Sequence, residues 1–395
     1  MNIVVTGLQS WDSDIGSNCI DISRELAKNH NVLYVNYPLD RMTVYRNSRH
    51  PKIKQRMAVL KSKAPDLVKV EENLWVFTPP ILLESISRIA IPFLFDFINT
   101  HNNVKYANAI KTAIDKLNFN DFILLNDNDI YRTLHFKKLL NPRLYIYYLR
   151  DYMIETAYYK YHGQRIEHIL IKNADAIFTN SLFLEKYAQT INNVCFFTGQ
   201  GCDTHLYDPE SITSVPEDII QIPYPIIGYT GALRTLRLDI PLLETIASKR
   251  PNWSFVFIGT EDESFSKSAL HFMPNVHFLG SRDAHLLPTY VSSFDVAINP
   301  QIVNKTTLGN YPRKIDEYLS MGKPVVATRT EAMEMFSDYV FLADNCETFI
   351  QGIDYALQHN TPAQIQARKE YAQTHTWEKV VKTMIQIIQN NFKIY

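Results

Sequence analysis

The residues best equipped for chemistry lie in one stretch, Leu308-Gly309-Asn310-Tyr311-Pro312-Arg313-Lys314-Ile315-Asp316-Glu317-Tyr318-Leu319-Ser320-Met321-Gly322-Lys323-Pro324-Val325-Val326-Ala327-Thr328. It reads as loop, short helix, tight turn and buried strand. Gly309-Asn310 signals a turn. Pro312 suits a first helical turn, where a missing N–H costs nothing. Gly322 suits the left-handed position after a helix, and the β-branched run from Val325 suits a strand covered on both faces. Free N–H groups at such a helix start favour an anion. Lys314 and Glu317 are three residues apart and share a helix face. A cation beside an anion-binding helix end, with a carboxylate one turn deeper, fits a ligand carrying both phosphate and hydroxyls, such as a nucleotide sugar.

The elements that must hold this stretch follow from the rest of the chain. At 395 residues, two domains are expected. Composition is 46% apolar and 21% charged, ordinary for a globular protein, and a net charge of −1 gives no reason to expect nucleic acid as a partner. The four cysteines are scattered, without CxxC or zinc-ligand spacing, which fits a reducing, cytoplasmic compartment. The N-terminus enters a strand directly, with no secretory-signal pattern. The longest apolar stretch, 79–98, carries Glu84, Arg88 and Asp96 and three prolines. It reads as an amphipathic surface or core helix, since a spanning helix would bury those charges.

Strand, loop, helix and strand over 2–35 make a βαβ opening. Its loop carries Gly7 and Gly16 but no GxGxxG, so it is not a dinucleotide fingerprint. Residues 41–69 are strongly basic and read as a solvated, partly mobile insertion. The other reading is a patch for anionic lipid headgroups or a phosphorylated acceptor, where each cation contributes roughly 1 kcal/mol. Helices are expected at 104–117, 164–173 and 181–189, and strands at 122–125, 144–149, 176–179 and 194–197. The segment 207–225 has no periodicity and reads as the interdomain linker. A second alternation follows, with strands ending in Gly231, Gly259 and Gly280, where backbone can approach a ligand. A last helix over 376–391 repeats apolar residues at i, i+3, i+4.

Taken in order, the Gly231 strand end, Phe278-Leu279-Gly280-Ser281, Phe294-Asp295-Val296-Ala297-Ile298-Asn299-Pro300 and the stretch from Lys314 to Val326 resemble the nucleotide-sugar-dependent glycosyltransferases of GT-B fold. The likeness is to the retaining family 4 and family 1-like bacterial enzymes of surface-polysaccharide assembly, including teichuronic-acid-type transferases. Thr198-Gly199-Gln200-Gly201-Cys202-Asp203 resembles the family's linker motif, and Thr376-Trp377-Glu378 the opening of its closing helix. The resemblance implies an α/β fold of two doubly wound, Rossmann-like domains facing a cleft, with the C-terminal helix crossing back to the first. The domains would be 1–205 with 377–395, on the acceptor side, and 206–376, on the donor side.

The same resemblance implies the site. Glu317 matches the second Glu of the family's E-x7-E element and would accept ribose hydroxyls. Gly309 stands where the first Glu is expected, which removes a carboxylate that contacts the donor sugar. Gly309, Asn310 and Tyr311 would face phosphate by backbone. Gly231, Arg234 and Arg237 would meet the diphosphate, and Gly280, Ser281 and Arg282 the base. Arg237 and Lys314 would carry catalysis by stabilising the leaving diphosphate. Asp151, after a first-domain strand, would orient the acceptor or act as base, with Gly16 on the facing loop. Asp127-x-Asp129 is an isolated DxD, so no metal and no cofactor are expected beyond a UDP- or GDP-linked sugar as co-substrate. The acceptor would be a glycan or a lipid-linked glycan, met at the inner face of the membrane. Two alternatives are a nucleotide-sugar epimerase of the same fold and a non-catalytic scaffold partner, the latter favoured by Gly309.

Overall fold

The structure, a computed structural model, describes residues 1–13 and 16–394. It divides into two compact units: Met1–Gly199 with Val380–Tyr395, and Gln200–Lys379. The units part at 199/200 rather than 205/206, and the return falls three residues into the last helix, Trp377–Phe392.

Among the described residues, ten strands belong to the first unit: β1 Asn2–Gly7, β2 Asn31–Val35, β3 Leu39–Asp40, β4 Leu67–Glu71, β5 Leu74–Phe77, β6 Leu82–Leu83, β7 Phe122–Asp127, β8 Leu144–Leu149, β9 Ala176–Thr179 and β10 Cys195–Phe197. Eight of these form one sheet in the order β10-β9-β8-β7-β1-β2-β5-β4, parallel except for β4 against β5. Strands β3 and β6 pair separately. β7 and β8 are buried along their whole length and β1 along all but its first residue, as continuous Val/Ile/Leu/Tyr runs require when helices cover both faces.

The second unit holds β11 Ile226–Thr230, β12 Ser254–Ile258, β13 Val276–Gly280, β14 Val296–Asn299, β15 Val325–Thr328 and β16 Val340–Ala343. They form an all-parallel sheet in the order β13-β12-β11-β14-β15-β16. Strand order reverses between β11 and β14 here, and between β1 and β7 in the first unit. In doubly wound sheets a ligand crevice opens outside the carboxyl ends of strands at such a point.

Three expectations change. The basic stretch is folded: helices Arg41–Asn47 and Pro51–Leu60 precede β4. Arg41 pairs with Glu84 at 2.8 Å, and Arg56, 7% exposed, pairs with Asp12 at 2.7 Å. A charge run conceals the few apolar anchors, such as Val59, that dock it. Residues 79–91 are not helical, because Pro79 and Pro80 break the pattern and Pro92 takes the first turn of a 26-residue helix, Pro92–Leu117. Residues 207–225 are no free linker, since Tyr207, Ile219 and Ile222 enter the second unit's core. His162, just before the helix Gly163–Asn173, is buried, with its ring 4.2 Å from that of Phe95.

The first core also contains an isolated acid. Glu167 is fully buried and accepts hydrogen bonds from the hydroxyls of Tyr147 (3.0 Å) and Tyr187 (3.1 Å). Burial pushes its carboxyl up to about 7. Because the folded value lies above the unfolded one, the stability this group contributes is fully present below the ordinary carboxyl range and is lost as pH rises through about 7. Relative to Glu167→Gln, the wild type should lose about 2–3 kcal/mol between mildly acidic and mildly alkaline pH. Denaturant unfolding of both proteins across that range checks this, and parallel pH profiles would refute it.

Candidate functional site

The carboxyl end of β11 runs into Gly231, whose φ of +128° is a conformation that side chains disfavour. A Cβ at Gly231 would stand 3.2 Å from Lys314 Cε and 3.4 Å from Lys314 Nζ. Lys314 therefore lies directly against this glycine, with its amine 4.8 Å from the centroid of the Tyr229 ring. Gly259 comes so close that a Cβ would fall 1.9 Å from the Gly231 carbonyl oxygen, and its N–H donates to the Gly280 carbonyl at 2.9 Å. The three glycines thus form one continuous edge, bare of side chains, across β11, β12 and β13.

The loop after Gly231 is held from several sides. The Leu233 N–H donates to Thr260 O at 2.9 Å, and the Thr235 N–H to the Asp262 carboxylate at 2.7 Å. This places Arg237 so that its Nη1 donates to Asn310 Oδ1 at 3.3 Å. Arg234 is exposed, and its Nη1 reaches Glu261 O at 3.5 Å. Gly309 and Asn310 are buried.

The helix carrying Lys314 and Glu317 spans Lys314–Ser320, with Arg313 at its N-cap. It begins at Lys314, so Pro312 precedes the helix rather than lying in its first turn, and a short helix, Lys305–Leu308, ends where the expected loop begins. At seven residues it supports less of an anion site than expected, and the Ile315 N–H already donates to Pro312 O at 2.9 Å. Charge at this edge comes instead from side chains. Tyr318 anchors the helix to the strand: its hydroxyl accepts the Thr230 N–H at 2.8 Å and meets Thr230 Oγ1 at 3.1 Å.

Glu317 pairs with Arg313 (3.2 Å) rather than with Lys314, and its side chain is 14% exposed. Burial pushes its carboxyl up, against the pull of Arg313 and Lys314. The Arg313 guanidinium in turn lies 5.4 Å from the Trp377 ring centroid. Asp316, on the opposite side, is wholly buried between the Tyr311 hydroxyl (2.8 Å) and His375 Nδ1 (3.0 Å). Burial raises its carboxyl as well, and its bonds to His375 and Tyr311 pull it back. The tyrosine that was expected to offer its backbone to phosphate therefore has its side chain turned inward as a strut.

Two distant sequence features meet behind this helix. A Cβ at Gly201 would fall 2.2 Å from the Trp377 ring, and the Cys202 N–H donates to His375 O at 2.8 Å. At the β13 end, Gly280 and Ser281 are exposed. Arg282 is engaged elsewhere, with Asp218 (2.7 Å) and the Tyr290 hydroxyl (2.8 Å).

In the first unit, Asp151 follows β8. Its carboxylate accepts from Arg150 Nη1 at 2.7 Å, and its N–H donates to Asn128 Oδ1 at 3.0 Å. Arg150 also donates to the fully buried Asp127 at 2.6 Å. Burial pushes the Asp127 carboxyl up, and Arg150 opposes it. Asp129 is likewise buried against Arg132 at 2.8 Å. Gly16 is exposed just before Ser17, and its neighbours Asp14 and Ile15 lie outside the described residues.

The parallel six-stranded sheet, the glycine edge and the Lys314–Ser320 helix coincide with a known family: residues 224–359 match glycosyl transferases group 1. Over 161 residues the chain is 28% identical to a Bacillus subtilis (strain 168) protein described as a teichuronic acid biosynthesis glycosyltransferase, TuaH. That match spans 38% of this chain and 40% of TuaH, less than half the length of the relative. Among solved structures, sucrose-phosphate synthase from Thermosynechococcus elongatus is similar with a TM-score of 0.69 at 15% identity, covering 99% of both chains. HepE of Anabaena in complex with UDP gives 0.65 at 14% identity, covering 98% of this chain and 100% of that one. A glycosyltransferase from Rickettsia africae gives 0.66 at 16%, covering 100% of both. The fold is GT-B.

Asp316, Tyr318, His375 and Asn128 escaped the sequence reading. Asp316 and Tyr318 look like ordinary helix residues, and only contacts across 59 and 88 positions reveal their roles. Tyr318→Phe should leave the buried Thr230 N–H unpartnered and cost about 1–3 kcal/mol. Chemical denaturation checks this, and an unchanged midpoint would remove Tyr318 as the anchor.

Proposed function

We propose that the protein is a glycosyltransferase that moves a sugar from a nucleotide-sugar donor, UDP- or GDP-linked, to a glycan or lipid-linked acceptor in cell-surface polysaccharide synthesis. One observation carries this reading: the Lys314 amine stands against bare Gly231 at the carboxyl end of β11, beside the switch point of a group 1 glycosyl transferase domain. HepE and TuaH support the donor type and the polysaccharide setting by likeness.

In this reading the diphosphate lies along the glycine edge, with the base toward Gly280 and Ser281. Lys314 and Arg237 face the charge that grows on the diphosphate as the glycosidic bond breaks. Preorganised cations stabilise such charge without reorganising during the reaction. They serve in place of a metal, and no cofactor joins them. Glu317, held by Arg313, accepts the ribose hydroxyls. Asp151, held by Arg150 and Asn128, orients the acceptor or takes its proton. The outcome is retention, as in the family 4 enzymes the sequence resembles. The protein works in the cytoplasm at the inner face of the membrane, where part of the 41–69 charge faces anionic lipid.

Calorimetric titration against a panel of UDP- and GDP-sugars tests the reading. One donor should bind, and Glu317→Gln should weaken it about tenfold. Lys314→Ala should lower kcat by roughly two orders of magnitude. Silence toward every nucleotide sugar would refute the proposal. Turnover without any acceptor would favour the epimerase, and binding without turnover the scaffold.

A further inference from the structure

The first unit contains a cavity of about 330 Å³ that the donor chemistry does not use. Its wall includes Asp40, Arg46, Ser85, Arg88, Arg132 and Tyr158. Asp40 is consumed locally, accepting from the Met42 and Thr43 N–H groups (3.0 and 3.1 Å) and from the Ser85 hydroxyl. Glu84, also on the wall, is taken by Arg41, and Arg132 by Asp129. Among the described residues, Arg46 and Arg88 have no carboxylate within ion-pair distance, and both are exposed. The cavity is thus walled by cations with unspent charge.

Immediately beyond Arg88 the chain turns apolar and outward. Ile91 is 63% exposed, Phe93 80%, Leu94 41% and Phe97 68%. Phe93 and Phe97, and Leu94 and Phe97, are neighbours on one face of the helix that starts at Pro92. Large apolar side chains this exposed and this close together mark an interaction surface. The face is fastened to the cavity wall. His162 Nε2 lies 2.9 Å from Ile89 O, and Phe95 packs on His162 and, at 4.8 Å, on Tyr131. Tyr131 meets Tyr158, which lines the cavity, at 5.6 Å.

We propose that this face docks on an anionic lipid bilayer: Ile91, Phe93, Leu94 and Phe97 enter the boundary between headgroups and acyl chains, and the arginine-walled cavity seats a lipid phosphate. Exposed aromatic and aliphatic residues on one helix face, beside cations, suit the bilayer interface. A second copy of the chain fits less well, because a two-fold interface would bring together two faces that both carry the uncompensated charge of Arg46 and Arg88. No described helix is long and apolar enough to cross a membrane, so the contact is a surface one. Under the glycosyltransferase proposal, on which this purpose rests, the docked face would present the enzyme to a membrane-held acceptor.

Flotation with phosphatidylcholine vesicles, with and without roughly a fifth of phosphatidylglycerol, tests this without any nucleotide sugar. Anionic vesicles should hold the protein at least about tenfold more tightly than neutral ones. Arg46→Gln with Arg88→Gln should cut affinity for anionic vesicles about twentyfold and leave neutral binding unchanged. Phe93→Ser with Phe97→Ser should cut affinity for both by about tenfold or more. Indifference to lipid charge would overturn the proposal, as would full retention of the phenylalanine variant. A reversible dimer that the same variant dissolves in sedimentation equilibrium would make a second copy the occupant and overturn it too. Donor titration of the same preparations keeps the two proposals apart, since a wild type that floats but binds no nucleotide sugar refutes only the first.

Discussion

The second unit depends on one hydrogen bond between a strand end and a helix. At the end of β11 the Thr230 N–H is buried, and the Tyr318 hydroxyl supplies the acceptor it needs there. A buried N–H left without a partner is costly, so the helix cannot rotate away from the strand. One turn earlier on the same face stands Lys314, which is thereby delivered to Gly231. The absence of a Cβ at Gly231 and Gly259 does the complementary work, because either Cβ would crowd a neighbour. Structure and proposed chemistry share one constraint.

Buried carboxylates form the second theme. Asp316, Asp127 and Asp129 are each withdrawn from water and each met by a named partner: His375 with Tyr311, Arg150, and Arg132. Taking such charges out of water is rarely a route to stability in itself. Their geometry is better read as orientation. Asp127 turns Arg150 toward Asp151, and Asp316 ties the Lys314–Ser320 helix to the segment that ends in Trp377. Gly309, where a further carboxylate was expected, leaves this edge with Arg237, Lys314 and the acid of Glu317.

The first unit solves a different problem. Its basic segment looked uniform in sequence, yet the fold spends Arg41 and Arg56 on internal pairs and turns Arg46 toward a cavity. The apolar run after it is divided just as sharply. Phe95 goes to the core, while Phe93 and Phe97 face outward. Such sorting needs the register of a helix that starts at Pro92, and that register is set by the prolines before it.

By itself the sequence determined the alternation of strands and helices, the glycine strand ends and the Lys314–Glu317 helix. These follow from local periodicity and from residues with special backbone freedom. The ordered motifs also carried the GT-B fold. Tertiary structure alone decided which charges were spent and which stayed available. Glu317 chose Arg313 over Lys314, Arg282 left the β13 edge for Asp218, and Tyr311 turned inward to Asp316. Such choices depend on which side chains the folded chain brings within hydrogen-bond distance across tens of residues, and no local pattern encodes them. For the same reason the stretch around Lys314 reads from sequence as a helix end made for an anion, whereas the structure makes it a seven-residue strut whose lysine, and not its backbone, faces the glycine edge.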